Sequence, residues 1–463
     1  MERDPATLFK TIKTLLEQKR YTTLRDILNT MNPVDIAAVF EDLQSEKTAL
    51  LFRLLPKETA AETFVEMDEE TQEILIHGFS DSELKELIDE MYVDDAVDLI
   101  EEMPANVVKR ILRQADPETR KEINEILKYP EDSAGSIMTT ECVILRPKMT
   151  AEEAIKRIRR TGIDKETIYT CYVSDSSSTL IGIVTIKTLL LCEDDEVIEN
   201  IMETHVISVN TLDDQEVVAQ MFNKYNFLAL PVVDGENRLV GIVTVDDAID
   251  VMEEEATEDI QKMAAITPTT DKPYDRIGVF ETFLARIPWL LILMISATFT
   301  GMIITGYEDA LTNSSAVYLT AFIPMLMDTG GNSGSQSSVT IIRALSLGEI
   351  EFKDIFKVIF KECRVALLCG VALAAVNFAK LTLFDGIILH NTDVTPWVAL
   401  VVCLTMVVTI FIAKLVGCTL PMIAKKIGFD PAVMASPFIT TIVDAISLFV
   451  YFQFATYMLN VHV

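Results

Sequence analysis

Two carboxylates lie inside long apolar stretches, where an uncompensated charge is costly. Asp444 follows Thr440 and Thr441 in an apolar run that extends from Pro431 to Val463. Asp328 opens the polar, glycine-rich run DTGGNSGSQSS inside another apolar stretch. A carboxylate in hydrocarbon costs at least about 2.5 kcal/mol, and such a run is tolerated only where it lines water or packs on protein. Both residues therefore predict a polar path for a cation. The alternatives are that Asp444 caps or bonds a neighbouring helix and that the glycines only allow close helix packing.

A third set of carboxylates follows the last strand predicted in the first half of the chain. The segment that begins at Asp246 carries eight carboxylates before its first base, Lys262, and is predicted to be helical. Helical spacing puts most of them near one face: Asp247, Asp250, Glu254 and Glu258, with Glu255 and Asp259 beside them. Like charges so placed destabilise a helix unless cations or basic partners screen them, and a solvated acidic face is the alternative.

The residue types narrow the cation but do not fix it. Carboxylate oxygens without clustered histidine or cysteine suit hard divalent ions. Mg²⁺ keeps several of its waters, so a pore with one aspartate per chain suits a largely hydrated Mg²⁺. This chemistry alone leaves Mg²⁺, Mn²⁺ and Ca²⁺ open. The four histidines lie away from the acidic clusters and show no spacing typical of a catalytic base and nucleophile, so an enzyme is not predicted.

Charge and hydropathy divide the 463-residue chain into two parts. Residues 1–280 hold 58 acidic and 29 basic side chains, whereas residues 281–463 hold 12 and 10. The apolar excess lies in the second part, although the whole chain has a net charge of −31. So acidic a surface repels phosphates, which excludes nucleic acid as a partner and favours cations.

The second part is predicted to contain five transmembrane helices, since spanning a bilayer takes about 20 apolar residues. They are expected near 287–306, 314–341, 361–384, 394–417 and 431–458. Lysines and arginines concentrate between the second and third helices and between the fourth and fifth, which predicts a cytosolic N-terminus and an external C-terminus. The charged N-terminus lacks the apolar segment of a signal peptide, so the expected location is the cell membrane, with the acidic part in the cytosol.

The first part contains two kinds of pattern. Residues 1–130 show helical periodicity with short helices spaced by roughly 20 residues, which predicts a small α-superhelix. Its predicted breaks are Pro33, Pro56, Gly78–Ser80, Pro104 and Pro117. From residue 131 a strand–helix–strand–strand pattern occurs twice: Ile137-Met138-Thr139 is echoed by Ile201-Met202-Glu203, and Gly182-Ile-Val-Thr185 by Gly241-Ile-Val-Thr244.

This repeat resembles a tandem pair of cystathionine-β-synthase (CBS) domains, a regulatory α/β module. The second copy is the stronger match, with Leu230-Pro-Val-Val-Asp234 followed by Gly241-Ile-Val-Thr-Val-Asp-Asp247. The resemblance implies that Thr244 and Asp247 hold the ribose of ATP or another adenine nucleotide. The first copy has Lys187-Thr188 where that aspartate is expected, so its site is in doubt.

The order of parts, with two motifs, resembles the MgtE family of magnesium channels and transporters over essentially the whole chain. The motifs are Pro324-Met-Leu-Met-Asp-Thr-Gly-Gly-Asn-Ser-Gly-Ser-Gln336, and Asp430-Pro-Ala-Val-Met-Ala-Ser-Pro437 with Asp444 seven residues beyond. The resemblance implies a multidomain membrane protein. Its parts are an acidic helical domain (1–130), a CBS pair (131–249), an acidic connecting helix acting as a plug (250–275) and a five-helix transmembrane domain (276–463) in a homodimer.

The same resemblance implies the site residues. Asp444 would hold hydrated Mg²⁺ in a pore also lined by Asp328, Asn332, Ala432 and Ala435. Regulatory Mg²⁺ ligands would be Glu62, Asp94, Asp98, Glu216, Asp247, Asp250, Glu255, Glu258, Asp259 and Asp430. The chain departs from the family pattern at Tyr225-Asn226-Phe227, where an aspartate is expected, so one regulatory site is in doubt.

The resulting functional hypothesis is a channel or transporter that moves Mg²⁺ into the cytosol and is closed by cytosolic Mg²⁺. Two alternatives stay open: an ion-coupled exchanger of divalent cations, and a membrane-bound Mg²⁺ sensor without transport. The polar run and Asp444 count against a mere sensor, because an anchor needs neither.

Overall fold

A computed structural model describes residues 5–41, 43, 45–268, 274, 277–313, 317–388, 395–434 and 436–459. The chain divides into two compact units, Met1–Glu253 and Glu254–Val463. Each unit is described by itself below.

The first unit opens with a series of short helices, as the periodicity predicts, but the predicted spacing of about 20 residues is wrong, because from Tyr21 to Pro117 a helix starts every 12 residues. They are α1 Pro5–Glu17, α2 Tyr21–Leu28, α3 Pro33–Glu41, α4 Ser45–Phe52, α5 Lys57–Val65, α6 Glu69–Gly78, α7 Asp81–Ile88, α8 Val93–Glu102, α9 Ala105–Gln114 and α10 Pro117–Ile126. The predicted breaks coincide with helix starts: Pro33 and Pro117 begin α3 and α10, while Pro56 and Pro104 immediately precede α5 and α9. Proline suits these positions because the first helical N–H groups have no partner within the helix.

Side-chain caps define several of these helix starts. Ser80 and Glu83 form a reciprocal capping box at α7, and Asp68 accepts a hydrogen bond from the Thr71 N–H at α6. Asp116 caps α10 in the same way. The helices enclose fully buried apolar side chains such as Phe40 and Phe64, which form one continuous core.

Two similar α/β halves follow in the same unit. The first contains β1 Val143–Leu145, α11 Ala151–Thr161, β2 Thr170–Ser174, β3 Leu180–Thr185 and α12 Ile186–Leu191. The second contains α13 Ile198–Ile201, β4 Val209–Asn210, α14 Gln215–Tyr225, β5 Ala229–Val233, β6 Leu239–Thr244 and α15 Val245–Met263. In each half a middle strand, β2 or β5, pairs parallel with the strand before it and antiparallel with the strand after it. The predicted strand–helix–strand–strand order is therefore confirmed in both copies.

The repeated sequence anchors pair across the two halves. Thr139 exchanges backbone hydrogen bonds with Ile242 at 2.8 and 2.9 Å, and Ile183 does so with Glu203 at 3.0 and 2.9 Å. A Cβ at Gly182 would lie 2.7 Å from the Met202 Sδ, and one at Gly241 would clash with the Thr139 carbonyl oxygen. The glycines of each copy thus admit the methionine segment of the other.

The second unit contains long helices. They are α16 Val279–Asn313, α17 Ile323–Ser346, α18 Ile355–Ala379, α19 Pro396–Ile427 and α20 Ser436–Leu459. Short 3₁₀ segments precede α17, α18 and α20, and a π-helical segment, Lys380–Ile388, follows α18. Four described spans are long and apolar enough to cross a membrane: Val279–Gly306, Phe352–Phe384, Pro396–Ile427 and Pro431–Met458. The remaining long helix, α17, contains the polar run. The count of five transmembrane helices stays a prediction.

Several helix boundaries differ from the sequence prediction: α16 begins at Val279 rather than near residue 287, and α19 ends at Ile427 rather than near residue 417. Two further differences have a local cause. The acidic connecting helix α15 begins at Val245 and ends at Met263, whereas the connecting helix is predicted over 250–275, and Ala265 has a positive φ of 55° that no helix continues. The second long helix begins at Ile323 rather than near residue 314, because residues 317–322 form a 3₁₀ segment with tighter hydrogen bonding.

Candidate ion-binding sites

The first unit brings three carboxylates from distant parts of the sequence together. Asp94 lies on α8, Glu141 precedes β1, and Glu166 lies between α11 and β2. One oxygen of each lies within 4.8 Å of the others. Asp94 is buried, and its Oδ1 accepts a 3.1 Å hydrogen bond from the Asp95 N–H. One oxygen of Glu166 is buried without a hydrogen-bond partner. Three converging oxygens of this kind are the ligands that a hard cation prefers.

Electrostatics make this cluster costly without a cation. Burial, followed by the charge of Asp247, raises the pKa of Asp94 well above its usual range and that of Asp95 to about 7. Burial, followed by the charge of Asp95, raises the pKa of Glu166 to about 8. Burial also raises the pKa of Glu141 to about 7. A bound divalent cation would reverse these effects by favouring the charged carboxylates.

Some predicted ligands join this region and others do not. The charge of Asp247 acts on Asp94 and Asp98, so α15 and α8 contribute carboxylates to the same region. Asp98 keeps part of its side chain exposed, yet surrounding protein atoms, followed by Asp247, raise its pKa to about 8. Burial, followed by the charge of Asp250, raises the pKa of Glu66, so Asp250 lies close to that carboxylate. Glu62 lies exposed on α5.

Glu216 and Asn226 lie at opposite ends of α14, outside the group of three carboxylates. Glu216 accepts a 3.1 Å hydrogen bond from the Gln220 Nε2. Asn226 ends α14 in a left-handed conformation, with φ 54° and ψ 45°. Asparagine tolerates this conformation better than most residues, which gives the departure from the expected aspartate a backbone role.

The Thr244–Asp247 turn at the start of α15 has a local structural role. The Asp247 Oδ2 accepts hydrogen bonds from the Thr244 hydroxyl and, at 3.2 Å, from the Thr244 N–H. The equivalent turn in the first half is formed by Thr185 and Thr188 without a carboxylate. Of these two turns, the one in the second half contains a carboxylate.

In the second unit an ammonium group lies between two predicted Mg²⁺ ligands. The Lys262 Nζ is 2.7 Å from the Glu258 Oε1 and 2.7 Å from the Asp430 Oδ2. The neighbouring Asp259 accepts a 3.1 Å hydrogen bond from the Ser346 hydroxyl at the end of α17. The last turns of α15 thus contact both the end of α17 and the segment before α20. Glu255 is half-buried on the same stretch of helix.

The polar run is helical, and its two sides have different surroundings. Gly330, Gly331 and Gly334 are buried, and a Cβ at Gly330 would lie 2.7 Å from the Thr409 Cγ2 on α19. The glycines therefore do permit close helix packing. The other side is exposed and polar, and the Asn332 Nδ2 donates a 3.1 Å hydrogen bond to the Asp328 Oδ1.

The remaining predicted pore residues lie on or before α20. Asp444 is half-buried on α20 and close enough to Asp328 for their charges to interact. Ala432 is fully buried in the 3₁₀ segment Pro431–Met434. The Ala432 N–H donates a 2.7 Å hydrogen bond to the Asp430 Oδ1. Ala435 lies outside the described residues.

Comparisons with known proteins cover all parts of the chain. Family profiles match at residues 31–132 (MgtE intracellular N domain), 134–193 and 198–254 (CBS domain) and 323–454 (MgtE, divalent cation transporter). The magnesium transporter MgtE of Thermus thermophilus is 36% identical over 96% of this chain and 97% of its own length. The chain belongs to the MgtE family. The Bacillus subtilis member is 32% identical over 96% of this chain and 95% of its own.

Two solved structures of magnesium channels or transporters resemble about half of this chain. A cytosolic domain of the Mg²⁺ channel MgtE in complex with ATP is 36% identical, with a TM-score of 0.50 over 52% of this chain and 99% of that one. The soluble part of a magnesium transporter is 31% identical, with a TM-score of 0.52 over 55% of this chain and all of that one. The helical N domain, the CBS pair and the expectation of a non-enzymatic transporter family are therefore confirmed.

Two carboxylates of this MgtE chain, Glu141 and Glu166, were not predicted as candidate ligands from the sequence. Glu141 and Glu166 lie outside the helical runs in which acidic residues recur at regular spacing. The internal repeat gives no signal either, because the residue 64 positions after Glu141 is His205. Only the packing of α8 against the first CBS copy brings these carboxylates to Asp94.

Proposed function

We propose that this MgtE-family chain conducts Mg²⁺ into the cytosol and that cytosolic Mg²⁺ closes it. The observation that supports gating most directly is the carboxylate cluster of the first unit, in which burial and mutual repulsion raise the pKa values of at least five groups. A cluster of this charge binds divalent cations more favourably than its separated parts, because bringing the carboxylates together without a cation costs free energy.

The gating mechanism follows from where these carboxylates originate. Asp94 and Asp98 belong to α8, Glu141 and Glu166 to the first CBS copy, and Asp247 to α15. At low Mg²⁺ their repulsion loosens the packing of these three elements. At high Mg²⁺ the bound ions draw the elements together and favour one position of α15. Mg²⁺ can shift this equilibrium only by its higher affinity for the closed arrangement.

The other regulatory ligands in this proposal extend from the first unit to the connecting helix. They are Glu62, Glu216, Asp250, Glu255, Glu258, Asp259 and Asp430. In this proposal the C-terminal turns of α15 couple Mg²⁺ binding to the pore. Asp259 contacts Ser346 at the end of α17, and Lys262 contacts Asp430 in the segment before α20. Several weak sites, each coupled by about 1–3 kcal/mol, give a steep response.

We place the pore at the exposed polar side of α17, next to α20. Asp328 and Asn332 lie on that side, and Asp444 is close to Asp328. Lipid does not accommodate such a surface, so a second copy of the chain completes a water-filled path between two membrane domains. The proposed assembly is a homodimer with cytosolic N-termini in a cell membrane.

Trypsin cleavage tests this gating mechanism in the full-length protein. Lys262 is the base nearest the end of α15 and is half-buried between Glu258 and Asp430. Millimolar Mg²⁺ is expected to slow cleavage after Lys262 by stabilising α15. Equal cleavage rates with Mg²⁺ and with a chelator would contradict the mechanism.

Replacing Lys262 with methionine tests the role of its ammonium group. The variant is expected to conduct more at low Mg²⁺ and still close at high Mg²⁺, because Glu258 and Asp430 lose a tethered cation that a divalent ion replaces. For a half-exposed ion pair worth about 0.5–1 kcal/mol, the ratio of low-Mg²⁺ to high-Mg²⁺ flux should rise roughly two- to fivefold. Lys353→Met, which alters an exposed lysine paired with Glu351, is the control. An unchanged flux ratio in Lys262→Met would contradict the proposal that the Lys262 ammonium helps to close the pore at low Mg²⁺.

We also propose that the second CBS copy binds ATP or another adenine nucleotide. The Thr244–Asp247 turn and the ATP complex of the similar cytosolic domain support this site. Titration calorimetry should detect ATP binding to the full-length chain, and Thr244→Val should weaken binding by roughly tenfold through loss of about one charge-assisted hydrogen bond. Thr185→Val, at the equivalent turn of the first copy, should bind like the wild type. Equal affinity in all three proteins would contradict this site.

A further inference from the structure

A buried ionic network joins three helices of the membrane unit. The Lys414 Nζ on α19 lies 3.8 Å from the Glu362 Oε2 on α18. The Ser337 hydroxyl on α17 donates a 2.6 Å hydrogen bond to that same Glu362 oxygen and accepts a 3.1 Å hydrogen bond from the Lys414 Nζ. Only 5% of Lys414, 9% of Glu362 and 2% of Ser337 is exposed.

Burying this pair in apolar spans is costly. Glu362 lies in the span Phe352–Phe384 and Lys414 in the span Pro396–Ile427, each long and apolar enough to cross a membrane. Two charges in such an environment are stable only when they are paired and hydrogen-bonded, and ionisable residues there are functional more often than not. Neither residue belongs to the polar path proposed along α17 and α20.

The network is a directional contact on a helix face that packs mainly through glycines, where the neighbouring Ser338 hydroxyl also donates a 3.4 Å hydrogen bond to the Met434 carbonyl oxygen. Around it, α17 packs on α19 and α20 through Gly330 and Gly334, and the Gly334 backbone comes close to Gly417. Close packing at these glycines already limits how far α17 can rotate about its axis, because rotation would bring side chains into the space that the glycines leave. A hydrogen bond from Ser337 to a paired charge adds a contact that depends on direction and holds one orientation within that limit.

The rotation of α17 decides where its polar side points. Exposed polar residues recur every four positions along that side, at Asp328, Asn332, Gln336 and Thr340. At 3.6 residues per turn, Ser337 lies roughly a third of a turn away from the middle of this stripe. A contact that holds Ser337 therefore also sets the direction of Asp328 and Asn332.

We propose that Glu362 and Lys414 are positioning residues for ion passage, which hold Ser337 and so aim the polar stripe of α17 at the permeating cation. This inference rests on the proposed function. The pair does not touch the ion, so its loss should change how well the path accommodates Mg²⁺ rather than remove the carboxylates that attract it.

Ser337→Ala is the sharpest test, because it removes the hydrogen bonds between α17 and the Glu362–Lys414 pair and leaves that pair in place. In proteoliposomes the Mg²⁺ concentration for half-maximal flux should shift by about threefold, the size of one interhelical hydrogen bond in a membrane. Ser337→Thr keeps a hydroxyl and should restore the wild-type value. Ser333→Ala, at a buried serine one turn earlier on the same helix, is the matched control and should leave the value unchanged.

The charged partners provide a second variant set. Glu362→Gln with Lys414→Met removes both charges at nearly constant size and should reproduce the Ser337→Ala shift. Glu362→Lys with Lys414→Glu retains a pair and should move the value back toward the wild type. Hydrogen exchange of residues 323–346 in the full-length protein measures α17 independently of transport, and it should be faster in Ser337→Ala than in Ser333→Ala.

The outcomes distinguish the positioning role of the network from the proposed transport of Mg²⁺. Unchanged half-maximal concentration and unchanged exchange in Ser337→Ala would overturn the positioning role. Absence of wild-type Mg²⁺ flux would contradict the proposed function instead, and the exchange comparison would then decide whether the network positions α17.

Discussion

Replacing Asp444 with asparagine is expected to lower Mg²⁺ flux into proteoliposomes at least about tenfold, since a loss of only 1.4 kcal/mol of ion stabilisation has that effect. Asparagine keeps the size of the side chain and removes the charge that compensates for water lost by the ion. Asp444 is half-buried and interacts with the charge of Asp328, so the proposed ion path has carboxylates from both α17 and α20. An encapsulated Mg²⁺-sensitive dye measures the initial rate.

The control for Asp444 is Glu349→Gln, which removes an exposed carboxylate beyond the end of α17. It should conduct like the wild type once the amounts of reconstituted protein are matched. Wild-type flux in Asp444→Asn would show that the carboxylate is not required and would contradict a pore beside α20. Dependence of flux on a Na⁺ or proton gradient would favour the ion-coupled exchanger over the channel.

Mg²⁺ is expected to stabilise the cytosolic part strongly at pH 8 and weakly at pH 5. At a hundredfold excess over its dissociation constant, one bound ion adds about 2.7 kcal/mol. For a part of this size that raises the melting temperature by roughly 5–10 °C. Residues 1–263 suit the measurement, because similar cytosolic parts have been solved as separate structures.

The sign of the pH effect follows from the raised pKa values. Between the usual carboxylate pKa near 4 and the values of about 6 to 8 for Asp247, Asp95 and Glu166, the folded state binds more protons than the unfolded state. Without Mg²⁺, the contribution of these three groups to stability is therefore greatest at low pH and is lost as the pH rises through this range. Mg²⁺ competes with those protons, so it stabilises most when the carboxylates are charged.

Glu166→Gln tests whether the cluster causes this effect. The variant should be more stable than the wild type at pH 8 without Mg²⁺ and should gain less when Mg²⁺ is added. Glu199→Gln, at an exposed position of the same CBS pair, should behave like the wild type. A Mg²⁺-induced gain equal in all three proteins would place the ion elsewhere.

Local sequence signals predicted most of the architecture. Prolines and capping residues fixed the boundaries of the N-terminal helices, as at Pro33, Ser80 and Pro117. The internal repeat predicted the two α/β halves and identified the segments around Met138 and Met202 that pair across them. Such features depend on residues within a few positions of each other, or on a repeat, and both are visible in one sequence.

Features formed by long-range packing were not predictable. Glu141 and Glu166 meet Asp94 only after α8 packs on the first CBS copy. Lys414 falls near the end of the predicted helix 394–417, and nothing in the sequence showed that α19 would continue to Ile427 and bury Lys414 beside Glu362. Helical spacing placed Glu258 on the acidic face, but it could not reveal that the Lys262 ammonium lies between Glu258 and Asp430.

Gating by cytosolic Mg²⁺ is tested most directly by flux with the two sides of the membrane controlled separately. The full-length protein would be reconstituted with its cytosolic domains facing a bath held first at micromolar and then at millimolar Mg²⁺, with radioactive Mg²⁺ as the tracer. We expect flux at low cytosolic Mg²⁺, closure at millimolar Mg²⁺, and closure shifted to higher concentration in Glu166→Gln. Flux that is indifferent to cytosolic Mg²⁺ in both proteins would contradict the gating mechanism.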